Sequence, residues 1–455
     1  MDQLDQIIKA YDVRGIYPDQ LNADLARNVG AAFVRVLGLS KQAGGPGAVV
    51  VGWDMRPSGP ELVDAFADGV TSQGCDVIKI GLASTVGLYF ASGKLQLPGA
   101  MFTASHNPAQ YNGIKLCKSG AAPVGRDSGL AGITAMIRDG VPVFDGARGE
   151  VSEQDMLQTY ADHLRTLVDV SDIRRLKVVV DAGNGMGGHT VPVVFAGLPI
   201  DLIPLYFELD GTFPNHEANP IDPENLRDLQ AAVIAHGADI GLAFDGDADR
   251  CFVVDERGGI VDPSTLTALI AVRELARHPG SVIIHNLITS RAVPEIVTEH
   301  GGTPVRTRVG HSFIKEQMAT TGAVFGGEHS GHFYFRDFWR ADSGMLAALH
   351  TLSALGHTVA GTALSSMLTP YQRYVMSGEI NSTVADAQSK IAQVRAHFGE
   401  RVAIDELDGT TFSGDDWWFN LRPSNTEPLL RLNVEAATPH HVKALVDEVL
   451  SIVRA

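Results

Sequence analysis

Three stretches of the chain share one local design. Ala48-Val49-Val50-Val51-Gly52 leads into Trp53-Asp54-Met55-Arg56-Pro57, Lys177-Val178-Val179-Val180-Asp181 into Ala182-Gly183-Asn184-Gly185, and Ser281-Val282-Ile283-Ile284-His285 into Asn286-Leu287-Ile288-Thr289. Each is a short, continuous apolar run, rich in β-branched residues, that stops at polar or glycine punctuation. Apolar character without alternation is expected of a parallel strand with helices on both faces. Helical patterns intervene, as at Leu62 to Val70 and Leu266 to Leu275. The alternation predicts α/β units, and a spacing of roughly 100 to 130 residues predicts three domain-sized copies rather than a short-period solenoid.

The C-terminal part reads differently. Leu430-Arg431-Leu432-Asn433-Val434-Glu435 alternates as a strand with one wet face should. Thr438-Pro439 then supplies a helix N-cap and a first-turn proline. The helix that follows places Val442, Leu445, Val446, Val449, Leu450 and Val453 on one stripe. The expected organisation is three similar mixed-sheet α/β domains over 1–149, 150–257 and 258–369, then an α+β domain over 370–455.

The length of 455 residues agrees with about three domains, give or take one. The formal net charge is -17, from 36 Lys+Arg against 53 Asp+Glu. A field of that sign disfavours a nucleic-acid backbone or an anionic membrane as partner. An anionic small substrate would need Arg, Lys and backbone N–H groups gathered locally. Cys75, Cys117 and Cys251 form no C-x-x-C pair and support neither a disulfide framework nor a zinc cluster. The start, Met1-Asp2-Gln3-Leu4-Asp5, lacks the pattern of a signal peptide. No apolar run approaches the roughly 20 residues of a membrane span. A cytoplasmic location is expected.

Four clusters carry candidate chemistry. Thr103-Ala104-Ser105-His106-Asn107-Pro108, followed by Asn112-Gly113-Ile114-Lys115, offers a serine hydroxyl in a turn, as nucleophile or phosphate carrier. Ser, Asn and Pro also favour plain turns, so this cluster alone decides nothing. Asp245-Gly246-Asp247-Ala248-Asp249-Arg250 directly follows the strand-like Ile240–Phe244. Its carboxylates at i, i+2 and i+4 can converge on one cation, and oxygen-only ligands suit Mg²⁺. An EF-hand is excluded, because Arg250 stands where that loop requires glycine and Cys251–Asp255 continues as strand. In Gly326-Gly327-Glu328-His329-Ser330-Gly331-His332, Glu328 and Ser330 can bond adjacent sugar hydroxyls. A zinc site of His311, His329 and His332 is disfavoured, since Cys ligands and helical His spacing are lacking. Arg422-Pro423-Ser424-Asn425-Thr426-Glu427-Pro428 gathers a guanidinium, hydroxyls, an amide and free N–H groups, which suits either a phosphate cradle or a hairpin turn.

Gly183-Asn184-Gly185-Met186-Gly187-Gly188 fits the dinucleotide fingerprint G-x-G-x-x-G, with Asp201 downstream. A dehydrogenase is therefore a formal rival. Tight helix–strand packing explains the glycines equally well, and that rival leaves the other four clusters without work.

In order and spacing, the four clusters resemble the signature of the α-D-phosphohexomutase family over essentially the whole chain. Lys9-Ala10-Tyr11-Asp12-Val13-Arg14-Gly15 is similar to the family's N-terminal segment. The resemblance implies four domains around a central cleft and phosphate transfer between two hexose hydroxyls through phosphorylated Ser105. It implies Mg²⁺ on Ser105, Asp245, Asp247 and Asp249, with Arg14, His106, Lys115 and Arg250 around the transferring group. Lys115 or His311 would be general acid or base. Tyr11, Glu328, Ser330 and His332 would meet the sugar, and Arg422, Ser424, Asn425 and Thr426 the non-reacting phosphate. A hexose 1,6-bisphosphate would be intermediate and activator, hexose phosphates the only partners, and the enzyme a monomer or dimer. Tyr334–Phe338 and Ala341–Met345 resemble the bacterial phosphomannomutase/phosphoglucomutase group, nearest its phosphomannomutases. This implies exchange of mannose 6-phosphate and mannose 1-phosphate, with glucose phosphates or both sugars as the alternative. Ile288 departs from the pattern, because some close relatives carry a substrate-contacting lysine there. A Mg-dependent sugar phosphatase using Asp245 as nucleophile is the more distant rival; Asp249 stands where its motif has Thr or Val. A non-catalytic sugar-phosphate binder is the third.

Overall fold

The computed structural model describes residues 3–399, 402–424 and 429–455, the side chains of Gln3 and His311 excepted. Two compact units form, one of residues 1–261 and 330–365, the other of 262–329 and 366–455.

The three apolar runs become the strands Ala48–Trp53, Leu176–Asp181 and Val282–Asn286. Each lies between two parallel neighbours. Ala48–Trp53 pairs with Asp76–Leu82 and Gly99–Phe102. Leu176–Asp181 pairs with Ile200–Leu205 and Ile240–Phe244. Val282–Asn286 pairs with Thr303–Thr307 and Phe325–Gly327. Residues such as Val49, Val50, Val179, Val180, Ile283 and Ile284 are fully buried, which is why these runs need no polar alternation.

This repetition decides where chemistry can sit. The last parallel strand of each set is Gly99–Phe102, Ile240–Phe244 or Phe325–Gly327, and the next strand in the chain is Tyr111–Lys118, Cys251–Asp255 or Phe333–Phe335. The serine, aspartate and Glu328–His332 clusters occupy those three equivalent connections. All three lie beyond the carboxyl ends of parallel strands, where open α/β sheets place their ligands. Tyr111–Lys118 and Cys251–Asp255 return antiparallel to their predecessors, so both sheets of the first unit are mixed.

The C-terminal sheet is antiparallel, in the order Val375–Thr383, Leu429–Ala436, Trp417–Pro423, Thr410–Ser413, Ala403–Asp405. Helices Ala387–Phe398 and Pro439–Val453 close its apolar core, which includes Phe398, Phe412, Phe419, Leu432 and Val449. Thr438 caps the last helix by accepting the His441 N–H. Of the wet face expected for Leu430–Glu435, Arg431 stays partly exposed, while Asn433 and Glu435 are fully buried. Glu435 Oε1 accepts the Trp418 indole N–H at 2.7 Å and the Arg291 backbone N–H at 3.1 Å, whereas the Asn433 amide is buried without a hydrogen bond. Alternation marks two faces and does not say what covers them. Among the described residues no helix is long and apolar enough to cross a membrane.

Helices Ala23–Val36 and Gly59–Ser72 cover one face of the first sheet in unusually close contact. A Cβ on Gly69 would lie 2.0 Å from the Arg27 carbonyl oxygen, and one on Gly30 would lie 2.4 Å from that of Phe66. Gly69→Val should therefore force the helices apart and cost about 2 kcal/mol or more. A thermal unfolding scan should show a clearly lowered midpoint, and an unchanged one would contradict this packing.

Candidate active site

Ser105 sits in the connection after Gly99–Phe102 with φ 50, a left-handed conformation uncommon for serine. Its amide donates to Thr103 Oγ1 at 2.9 Å, and its hydroxyl donates to Asp245 Oδ2 at 2.9 Å. Asp245 and Asp247 are fully buried and Asp249 is 3% exposed. One oxygen from each lies within 4.8 Å of the others. Asp247 Oδ1 and Asp249 Oδ1 are buried without a hydrogen bond. Convergent, partly unsatisfied carboxylate oxygens beside a hydroxyl fit a hard divalent cation such as Mg²⁺.

Two cations hold the cluster together. Lys115 Nζ donates to Asp247 Oδ2 at 2.6 Å and Asp249 Oδ2 at 2.9 Å. Arg250 donates to Asp245 Oδ2 from Nη2 at 2.8 Å and from Nε at 3.0 Å. Three carboxylates against these two cations leave an excess of one negative charge, which a divalent ion would reverse.

The proton equilibria follow. Burial, checked by Arg250 and reinforced by Asp249 and Asp247, pushes the Asp245 carboxyl up to about 7. Burial also penalises ionised Asp249, yet Lys115, His332 and Arg250 hold it well below the usual range. Burial opposes the Lys115 ammonium, but Asp247 and Asp249 raise it well above its ordinary value. His106 is driven down to about 2 by burial, then by Arg250 and Arg14. Its Nδ1 lies 2.5 Å from Arg250 Nη2 and 3.2 Å from Ser105 Oγ. A guanidinium only donates, so His106 Nδ1 accepts and the ring is neutral.

Arg14 joins the serine loop by donating to Asn107 Oδ1 at 2.6 Å, and it pairs with Asp12. His332 Nε2 lies 3.5 Å from Asp249 Oδ1, and its Nδ1 lies 2.9 Å from Ser330 Oγ. A backbone bridge between Arg250 and His332 aligns the two loops. The first unit thus gathers Ser105, His106, Asp245, Asp247, Asp249, Arg250, Lys115, Arg14, Ser330 and His332. Tyr11 is 38% exposed.

In the second unit, Glu328 is 2% exposed; its Oε1 accepts the Asn286 side-chain amide and the Gly310 N–H, both at 3.2 Å. Arg422 lies 3.7 Å from Glu379. The Ser424 amide donates to the Leu429 carbonyl at 2.8 Å. Asn425 and Thr426 lie outside the described residues. His311 opens the helix His311–Thr321, and its side chain likewise lies outside.

Sequence reading missed Thr85 and Arg56. The Thr85 hydroxyl donates to Asp247 Oδ2 at 2.5 Å, and Arg56 bonds the serine loop from beneath. Neither has a local signal, because the partner lies 162 residues away for Thr85 and about 50 away for Arg56. The dinucleotide-like glycines have a packing role. A Cβ on Gly185 would fall 2.7 Å from the Gly246 carbonyl oxygen, and one on Gly188 would fall 2.3 Å from that of Phe207.

Comparison with known proteins shows the family of the chain. Four family models match in succession: phosphoglucomutase/phosphomannomutase alpha/beta/alpha domain I over residues 5–140, domain II over 158–259, domain III over 262–374 and the C-terminal domain over 379–452. A phosphomannomutase of Salmonella montevideo is 42% identical over 438 residues, 94% of either chain. A Xanthomonas campestris protein named for phosphohexose mutases is 42% identical over 436 residues, again 94% of each. A crystal structure of a phosphoglucomutase/phosphomannomutase family protein from Burkholderia thailandensis superposes with TM-score 0.88 at 35% identity, covering 100% of this chain and 98% of that one. With all four domains matched in order and relatives of this similarity spanning nearly its full length, the chain belongs to the phosphoglucomutase/phosphomannomutase family.

Proposed function

We propose that the chain is a phosphomannomutase that reversibly converts mannose 6-phosphate to mannose 1-phosphate. It would act through phosphorylated Ser105, with Mg²⁺ and a hexose 1,6-bisphosphate as intermediate and activator. The observation that carries this reading is the Ser105 hydroxyl bonded to Asp245 inside a buried group of three carboxylates and two cations. The names of the relatives support mannose over glucose.

In the forward direction the bond between Ser105 Oγ and phosphorus breaks, and a bond from phosphorus to a substrate hydroxyl oxygen forms. The proton leaving the substrate hydroxyl would be matched by the one Ser105 Oγ takes up, relayed by Lys115 or His311 as general acid or base, so that Ser105 ends as a hydroxyl donating to Asp245. Asp245, Asp247, Asp249 and the serine phosphate would hold Mg²⁺, which supplies charge neutralisation at phosphoryl oxygens when bound. Lys115 and Arg250 keep their charge and stand ready for the equatorial oxygens. Arg14 steers the same group from the Asn107 side, while neutral His106 keeps Arg250 aimed.

We assign Tyr11, Glu328, Ser330 and His332 to the sugar and Arg422, Ser424, Asn425 and Thr426 to the non-reacting phosphate. The four domains would run 1–149, 150–257, 258–369 and 370–455. The enzyme would work in the cytoplasm as a monomer or dimer.

A coupled assay with Mg²⁺ and bisphosphate should give turnover on mannose 1-phosphate above that on glucose 1-phosphate or glucosamine 1-phosphate. Ser105→Ala should lower kcat by at least about a thousandfold. Full activity in that variant would remove the covalent carrier, and net phosphate release without isomerised sugar would replace the mutase with a phosphatase.

Magnesium binding should also depend on pH. Burial raises the Asp245 carboxyl to about 7, so below that pH a proton must leave before a cation enters. Titration calorimetry on the dephosphorylated protein should show affinity weakening as pH falls from 8 to 6, by up to about tenfold per unit below 7. Affinity independent of pH across that window would contradict this linkage.

A further inference from the structure

Arg56 lies at the turn between strand Ala48–Trp53 and helix Gly59–Ser72, where the sequence shows only punctuation. It is 1% exposed and among the largest fully buried side chains of the protein. Its Nη1 donates to the carbonyl oxygens of Pro108 at 2.9 Å and Tyr111 at 2.8 Å. Its Nη2 donates to those of Ser105 at 2.9 Å and Asn107 at 2.6 Å. Each Nη carries two hydrogens, so all four are committed to the backbone of a single loop. The Nε faces Asp54 Oδ2 at 3.3 Å, and Asp54 Oδ1 accepts the Arg56 amide at 3.0 Å. Asp54 is fully buried, and the Thr103 hydroxyl accepts the Ser105 amide. The Phe213 ring covers the guanidinium, its centroid 5.2 Å away.

We propose that Arg56 is a positioning residue for the serine loop, a clamp that fixes Ser105 Oγ relative to Asp245 without touching substrate or metal. Four carbonyls pointing at one spot repel one another, and a planar fork satisfies all four at once. With its four Nη hydrogens committed and its Nε buried facing Asp54, the guanidinium acts only through the backbone. Its strongest leverage is on Ser105 itself. The Ser105 carbonyl is held by Arg56 on one side, and a Cβ on Gly246 of the aspartate loop would lie 2.4 Å from it on the other. The loop is thereby pinned in its left-handed form. It must stay there while its hydroxyl alternates with a phosphate of nearly two negative charges.

Arg56→Lys tests this. It preserves the charge opposite Asp54 but replaces a four-hydrogen fork by a point donor of three. The expected result is a fall in kcat of about a hundredfold, the scale of a 1 Å misplacement, with KM for the hexose phosphate within about threefold of the parent. Hydrogen–deuterium exchange should speed up over residues 104–112 while Ala48–Trp53 and Gly99–Phe102 keep their protection. A folded variant with kcat near the parent, or exchange unchanged over 104–112, overturns the clamp. So does a kcat loss that merely follows the unfolded fraction. Should Arg56→Lys not accumulate as folded protein, Asp54→Asn carries the test, since it removes only the counter-charge. It should show the same exchange signature with a smaller kcat loss, and protection equal to the parent's overturns the proposal. The kinetic arm rests on the mutase reading; the exchange arm does not, so the two fail separately.

Discussion

Asp245, Asp247 and Asp249 are withdrawn from water beside Ser105, and that burial is the constraint on which the rest of the site depends. Several kcal/mol oppose each unpaired buried charge, so the cluster persists only because Lys115, Arg250 and the Thr85 hydroxyl answer its oxygens. These partners come from distant parts of the chain. Lys115 stands on the strand that returns from the serine loop, Arg250 ends the aspartate loop, and Thr85 begins the helix Thr85–Leu95. Assembling the charges therefore requires the first two α/β sheets to form and dock. The site and the fold of the first unit are one energetic event.

Docking at that distance is a matter of backbone contact. Gly246 has no side chain between it and the Ser105 carbonyl, and Gly185 has none between it and Gly246. Gly113 likewise lets the strand Tyr111–Lys118 approach the Thr103 carbonyl, from which a Cβ would stand 2.6 Å. Any larger residue at these points would push a loop back by a fraction of the 2.9 Å that joins Ser105 to Asp245. Phosphoryl transfer has little covalent chemistry for a protein to perform, so positioning of this kind is most of what the chain can contribute.

The parts legible in the sequence were those written in one short stretch. The three continuous apolar runs announced central parallel strands, because full burial on both faces leaves no other pattern. The i, i+2, i+4 aspartates announced a converging carboxylate cluster, because their spacing after a strand already aims them together. Arg56 and Thr85 were illegible for the opposite reason, since an arginine in a turn and a threonine after a serine cap are locally ordinary. The glycines at 183–188 were ambiguous for the same reason, because close approach to a phosphate and close approach to Gly246 demand the same residue. The polar residues of Leu429–Ala436 misled about exposure, since alternation tells which side a residue faces and not what covers it.

Ile288 extends this lesson to the second unit. It is 6% exposed and packs with Leu287 and Trp418, with Val309 and Met376 against them. The Trp418 indole is fixed by Glu435, so the cluster has a rigid wall as well as an apolar interior. A lysine at 288 would have to snorkel out of this cluster to reach solvent or a ligand, and the isoleucine removes that need. Isoleucine at this position instead packs the segment after Val282–Asn286 against the C-terminal sheet, and Asn286 at the end of that strand donates to Glu328 in the same unit.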